Sequence, residues 1–207
     1  MKKIETTVSE GLEAIEDERI KKGEKYRKTV YAYPRYGAGG EYGQASNDLL
    51  VEVNNFTNPE PANEMQLQTL VAEMLATSDR DDLIKQFDLV PFPVLVLSVR
   101  RTLVEKILGA VKDSYHDDPA AQLSKRIRHL YDICLILREV EHSDFLGSED
   151  FASLCESCIA DERVLFEDTA PLFDIPLGEA PLFSNFEDWR PSIEAIYNTE
   201  FQKSCIS

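Results

Sequence analysis

The stretch that decides the fold is FPVLVLSVRRTLVEKILGAV, residues 92–111. Its first six residues form a continuous apolar run, which favours a buried β-strand. Ser98 follows at the place where a helix N-cap is expected, and apolar residues return at helical spacing to about Tyr115. The stretch therefore predicts a strand that leads directly into an amphipathic helix.

Two more strands are predicted upstream, at residues 29–36 and 49–56, because both segments are rich in Val, Tyr and Leu. The segment between them, residues 37–48, holds four glycines in twelve residues, which favours a flexible connection between antiparallel neighbours. Residues 5–28 predict a marginal, mostly exposed helix. Residues 64–77 place apolar side chains at helical spacing and predict a second helix.

Helices dominate the rest of the chain. A helix is predicted to start at Pro119, after two aspartates, and to carry an apolar stripe that includes Cys134 and ends at Leu137. Strands followed by helices indicate an α+β fold, with about three strands in an antiparallel or mixed sheet and then a mostly helical lobe. We therefore divide the chain into an α/β portion, residues 1–98, and a helical lobe, residues 99–207.

Composition and charge exclude several classes of protein. The longest apolar run spans about nine residues, whereas a membrane span needs ~20, so no membrane protein is predicted. Without an apolar signal segment, and with only four scattered cysteines, the chain is expected in the cytoplasm. The net charge is −16, and residues 139–207 hold 16 Asp and Glu against 3 Lys and Arg. This acidic third predicts either a solubilising surface or a docking face for a basic partner.

Asp132 is the first candidate site residue, since the other six residues of YDICLIL, 131–137, are apolar or aromatic. A carboxylate beside a buried helix face must be paired or coordinated. One explanation is a salt bridge to Arg128 or to an arginine of the preceding helix, and the other is a functional acid.

Lys106 lies at the edge of the apolar stripe of the preceding helix. It is either a lysine whose stem covers apolar surface, or a cation directed at a phosphate or a carboxylate. Glu52 alternates with Val51 and Val53 and is either a solvent-facing or a functional acid. Other basic residues near these positions are expected to face anions: Arg100, Arg101, Lys125, Arg126 and Arg128.

No metal site is predicted. Cys155 and Cys158 form a single CxxC, whereas a structural zinc needs four ligands, usually from two such pairs. The three histidines have no serine or cysteine partner motif for triad chemistry. The glycines at 37–40 lack the spacing of a phosphate-binding loop.

Three motifs occur in order along the chain: LLVEVNNFTNPEP at 49–61, the 92–111 stretch, and IRHLYDICLIL at 127–137. This succession resembles the AbiEii/AbiGii nucleotidyltransferase toxin family of type IV toxin–antitoxin and abortive-infection systems. In that family a strand and helix of the form FxVxVLxPERTxxEKI precede a helix that contains R[DH]xYD. The resemblance covers roughly residues 28–140.

The resemblance implies roles for individual residues. Lys106 matches the lysine of EK, which contacts the nucleotide or orients the site, and Asp132 matches the aspartate of YD, a functional acid that pairs with it. Glu52 occupies the acid-bearing strand, which completes a catalytic set with Lys106 and Asp132. Arg128 and Tyr131 support Asp132 and join Lys106 in binding the nucleotide. Mg²⁺ and an NTP are implied as cofactors, RNA as an acceptor and a cognate antitoxin as a partner.

The chain departs from the family at one point. The family has a catalytic head, a GG[ST] turn followed by a DxD or DxE pair that binds two metals, upstream of the strand that corresponds to residues 29–36. The 28 residues before that strand hold no such motif, and two-metal transfer needs those carboxylates. We expect a truncated, split or degenerate member that is inactive alone or is completed by a head in trans. The alternative is a non-catalytic protein-interaction module. In either case Lys106 and Asp132 are expected to form a salt bridge, with Arg128 nearby.

Overall fold

The computed structural model describes residues 2–32, 48–55, 58–165 and 168–201. The first part contains α1 (Lys2–Val8), β1 (Glu13–Ala14), β2 (Lys21–Lys22), β3 (Tyr26–Ala32) and β4 (Leu49–Asn54). The second contains β5 (Ala62–Leu67), α2 (Leu70–Thr77), α3 (Asp81–Gln86) and β6 (Phe92–Leu97). The helical lobe contains α4 (Val99–Ser114), α5 (Pro119–Lys125), α6 (Ile127–Ile136), α7 (Val140–Phe145), α8 (Glu149–Leu165), α9 (Pro181–Ser184) and α10 (Phe186–Ile196). Strands precede most of the helices, and the predicted α+β class is confirmed.

The first sheet is antiparallel and is centred on β3, which pairs with β1, β2 and β4. The pairing of β3 with β4 confirms the two predicted neighbouring strands. The helix predicted over residues 5–28 is wrong beyond Val8, because Glu5 fastens α1 to the sheet and the chain then turns into strands. The buried Glu5 carboxylate accepts hydrogen bonds from Thr29 Oγ1 and from Arg27 Nε, the latter at 2.5 Å. The glycine-rich segment lies outside the described residues, apart from Asp48.

The second sheet is the antiparallel pair β5–β6, in register from Ala62 opposite Leu97 to Leu67 opposite Phe92. The helix predicted over residues 64–77 is therefore wrong in its first part, where the chain forms β5, and the helix begins only at Leu70. The strand at residues 92–97 is confirmed, but its predicted burial is wrong, since Phe92 is largely exposed. A continuous apolar run predicts a strand that is covered on both faces, and this two-stranded sheet is not covered in that way.

The helical lobe is organised around α4. Ser98 caps it as predicted, accepting a hydrogen bond from the Arg101 N–H, and the helix ends at Ser114. Leu103, Val104 and Leu108 are fully buried on α4. Their cluster also includes Val111 of α4 and takes its remaining buried members from the acidic third of the chain: Phe145, Cys155, Cys158, Phe173 and Ala180.

The helix predicted from Pro119 to Leu137 is divided in the structure. Asp118 caps α5 by accepting a hydrogen bond from the Ala121 N–H, α5 ends at Lys125, and α6 starts at Ile127. Cys134, predicted on the apolar stripe, is exposed. The last described helix, α10, begins at Phe186 and continues into a π-helical turn over Tyr197–Phe201.

Candidate functional site

Lys106 and Asp132 meet where α4 packs against α6. Lys106 Nζ lies 2.8 Å from Asp132 Oδ2, and the predicted salt bridge is confirmed. The lysine side chain is 19% exposed and the carboxylate 44%. The Asp132 carboxylate is therefore less buried than its apolar neighbours in the sequence predict.

Arg128 and Tyr131 are the two residues expected to support Asp132. Arg128 is exposed, and it takes part in none of the ion pairs formed among the described residues. Arg126, two residues earlier, lines the same cavity as Lys106. Tyr131 turns away from that cavity and packs edge-on against Phe201, with ring centroids 5.1 Å apart. It thus fastens the final turn of the chain to α6.

A cavity of about 320 Å³ lies beside Lys106, enclosed by α4, α8 and the first turns of α6. Its walls are unusually rich in charge for a pocket of this size. The charged residues that line it are Arg101, Glu105, Lys106, Lys112, Arg126 and Glu162.

Each of the four cations that line the cavity is neutralised by a carboxylate. Lys112 Nζ lies 2.6 Å from Glu162 Oε2, which joins α4 to α8. Arg126 Nε lies 2.5 Å from Asp113 Oδ2, although without hydrogen-bond alignment. An anion that enters the cavity must therefore compete with these carboxylates for its cations. The half-exposed Asp132 is the partner that can turn towards water at the least cost.

Arg101 corrects the expectation that the basic residues of α4 face anions. Its side chain is only 1% exposed. The guanidinium donates to Glu105 Oε1 at 2.9 Å, to Asp161 Oδ2 at 2.6 Å and to the Glu60 carbonyl at 2.7 Å. Although burial lowers the pKa of Arg101, the two carboxylates outweigh it and raise the pKa. Arg101 is thus a buried tie between α4, α8 and the start of β5.

His129 lines the cavity and is a site residue that the sequence reasoning missed. Burial, together with the cations Lys106 and Arg126, lowers its pKa below the ordinary value of 6.5. The imidazole is therefore neutral at neutral pH and can donate or accept a hydrogen bond. The signal that could have found it is spacing, since residues 126, 129 and 132 lie three apart and share one face of a helix.

Glu52 lies on a different element from the cavity. It stands on β4 opposite Lys28 of β3, and its Oε1 lies 2.8 Å from Lys28 Nζ. The carboxylate is exposed, which agrees with its ordinary explanation as a solvent-facing residue. Among the described residues, no hydrogen bond or ion pair joins Glu52 to Lys106 or Asp132.

The donor set for a two-metal centre is not assembled by the described residues. Within 2–32, 48–55, 58–165 and 168–201, no three potential ligands from His, Cys, Asp and Glu come together. Glu52 and Asp132 each face a lysine instead. Burial raises the pKa of Cys155 and of Cys158 to about 11, so both thiols stay protonated at neutral pH.

Comparison with known proteins identifies a family. A family model described as "Nucleotidyl transferase AbiEii toxin, Type IV TA system" matches residues 1–202, nearly the whole chain. No curated protein and no solved structure matches. Of the helices in the described ranges, none is long and apolar enough to cross a membrane.

Proposed function

Since the chain belongs to the AbiEii nucleotidyl transferase toxin family of type IV toxin–antitoxin systems, we propose that it contributes the nucleotide-facing helix pair of a nucleotidyl transfer site. In such a reaction an acceptor oxygen attacks the α-phosphorus of an NTP, and pyrophosphate leaves. The observation that carries the proposal is the contact of Lys106 with Asp132 at the edge of a charged cavity.

Lys106 is the residue proposed to contact the triphosphate. Its ammonium is held by a carboxylate that is itself half-exposed, so the lysine can pass from Asp132 to a phosphate oxygen without leaving a buried charge unpaired. Asp132 orients the ammonium while the site is empty. His129, neutral beside two cations, supplies a further hydrogen bond within the same cavity.

The carboxylates for Mg²⁺ are proposed to come from a second polypeptide. Divalent metals would stabilise the charge on the attacking and leaving oxygens, and the described residues do not bring together ligands for them. Glu52 is proposed as this chain's acid nearest to such a centre, on the strength of the family motif alone. The chain by itself is then inactive, and its NTP and Mg²⁺ are held only in the completed assembly.

The test is reconstitution with a neighbouring gene product. A reading frame beside this one that encodes a GG[ST] turn and a DxD pair would be co-expressed with the chain, and label transfer from each α-labelled NTP to RNA or to protein would be measured. We expect transfer by the pair and none by the chain alone. Lys106→Ala and Asp132→Ala should each lower the rate about 100-fold or more. Lys85→Ala, which removes an exposed lysine from α3, should leave it unchanged.

Two results would contradict the proposal in different ways. Transfer by the chain alone would show that the second polypeptide is not needed. Full activity of the Lys106→Ala variant in the reconstituted pair would show that the cavity is not the nucleotide site.

A second function, a non-catalytic interaction module, is favoured by the charge of the helical lobe. Residues 139–207 have 16 acids against 3 bases, and of the described bases Arg163 and Arg190 are already paired with Asp174 and Glu187. A surface of this sign attracts a basic protein, such as the antitoxin that the family suggests, and repels RNA. An RNA acceptor is therefore expected to approach residues 1–138.

A further inference from the structure

The two-stranded β5–β6 sheet has one face made almost wholly of apolar side chains. In the observed register, alternate residues of the two strands share a face. One face carries five apolar side chains and one amide: Met65, Leu67, Phe92, Val94, Val96 and Asn63. We name these six residues the open face. The opposite face carries Glu64, Gln66 and Leu95 among its residues.

Among the residues that the structure describes, none covers the open face. Met65, Phe92 and Val96 are 54%, 53% and 39% exposed, and Val94 is half-buried. A two-stranded sheet is marginal in water unless something packs on it. This sheet is nevertheless held in place at one end. There the Ser98 N–H donates to the Pro61 carbonyl at 2.9 Å, and Arg101 donates to the Glu60 carbonyl. A positioned but uncovered apolar sheet is typical of an interaction site.

We infer that the open face packs against the open face of a second copy of this chain, related by a two-fold axis. In a two-fold interface the same surface of each copy faces the other, so any charge on it meets a like charge. The open face carries no charge and avoids this repulsion. Glu64, the one ionised residue of β5 and β6, lies on the opposite face. The two sheets would form a small sandwich with ten apolar side chains between them.

The area available sets the strength of the dimer. Exposed Leu70 and Val90 lie within three residues, in sequence, of the Leu67–Phe92 end of the sheet. The open face and these two residues present on the order of 500 Å² of apolar surface per copy. A dimer would therefore bury about 1,000 Å², near the lower bound for a specific interface. Each copy has a net charge of −16, and their mutual repulsion is screened by salt. The dimer is thus expected to be weak and to strengthen as salt is added.

Sedimentation equilibrium of the whole chain, from about 1 to 200 μM, tests the inference. Val96→Lys and Leu95→Lys are matched variants, because they place the same charge at neighbouring positions on opposite faces. We expect a reversible monomer–dimer equilibrium that V96K weakens at least tenfold. L95K should change the dimer's dissociation constant less than threefold, although Leu95 is the more exposed residue at 72%. The introduced lysine can pair with Glu64.

Met65→Lys, on the other strand, repeats the test should V96K fail to fold, as judged by circular dichroism. A chain that stays monomeric at 200 μM in both 50 mM and 500 mM salt would overturn the inference. Equal weakening by V96K and L95K would overturn it as well, since association would then not depend on the open face.

Discussion

Lys106 Nζ of α4 lies 2.8 Å from Asp132 Oδ2 of α6, and this ion pair is 26 residues apart in sequence. The pair is placed at the mouth of a charged cavity and not inside the apolar core. A carboxylate that is 44% exposed is screened by water, and ion pairs of this kind add about 0–1 kcal/mol to stability. The pair therefore contributes little to holding α4 and α6 together, and its position is better explained by a role at the cavity.

A double-mutant cycle on this pair should give a small coupling energy. The free energies of unfolding of the wild type, Lys106→Ala, Asp132→Ala and the double variant give the coupling energy. We expect about 0.5 kcal/mol, because solvent already screens the carboxylate. Urea denaturation measures it. A coupling above about 2 kcal/mol would show that the pair is a structural tie, and would remove the argument for its role in nucleotide binding.

Arg101 should behave in the opposite way. Its guanidinium is fully buried between Glu105 and Asp161, so Arg101→Met leaves two carboxylates without their partner. We expect a loss of about 3 kcal/mol and a fall in Tm of about 6–12 °C for a chain of this length. The neighbouring Arg100→Met should lose less than about 1 kcal/mol, since Arg100 is exposed and lies 3.9 Å from Asp150. Equal losses in the two variants would contradict the buried tie.

The stability of the chain should fall between pH 7.5 and 5.5, and His129 should account for part of the fall. Burial and the cations Lys106 and Arg126 keep its pKa in the folded protein below the ordinary 6.5. As the pH falls through 6.5 the unfolded chain takes up the proton first, so unfolding is favoured, by at most about 1.4 kcal/mol per pH unit. Urea denaturation at the two pH values should show a smaller fall for His129→Gln. An identical fall in the variant would mean that other groups cause it.

The sequence predicted best the features that depend on residues close together in the chain. The cap at Ser98, the length of α4 and the two antiparallel strands β3 and β4 follow from neighbouring residues, and the structure has them. The contact of Lys106 with Asp132 required two helices to pack, yet a charge at the edge of each apolar stripe was enough to predict it. His129 was missed because a residue's place on a cavity wall depends on how the helices cross.

The errors also have physical reasons. Residues 62–67 carry apolar residues that suit helical spacing as well as strand spacing, and pairing with β6 decides between them. The burial of β6 was overestimated because an apolar run indicates that something covers a strand, but does not indicate that the same chain supplies the cover. Arg101 was expected to face anions, whereas three hydrogen bonds hold it inside the lobe.

Calorimetry should find no tight binding of Mg-ATP or Mg-CTP to the chain alone. The cations of the cavity already have carboxylate partners, and the described residues do not gather ligands for Mg²⁺. We expect a Kd weaker than about 1 mM, which is under 4.1 kcal/mol of binding energy. Micromolar binding that Asp132→Ala abolishes would contradict this expectation, and would place a complete nucleotide site in this chain.

The acidic third should be the face that a basic protein approaches first. Removing residues 139–207 is unsuitable as a test, because Phe145, Cys155 and Phe173 belong to the core around Leu103. A triple variant of exposed residues, Glu139→Gln, Glu156→Gln and Glu194→Gln, removes three charges from the lobe and leaves that core intact.

The matched control removes three exposed charges outside the lobe: Asp79→Asn, Asp81→Asn and Asp88→Asn. Asp79 and Asp88 have positive φ, which asparagine accepts. With the cognate antitoxin that the family suggests as the probe, we expect the lobe variant to associate about tenfold more slowly at 50 mM salt and to lose that difference at 500 mM, since steering by charge is screened. Equal slowing in the control would show that only the net charge matters. No difference for either variant would mean that the acidic third serves solubility and not docking.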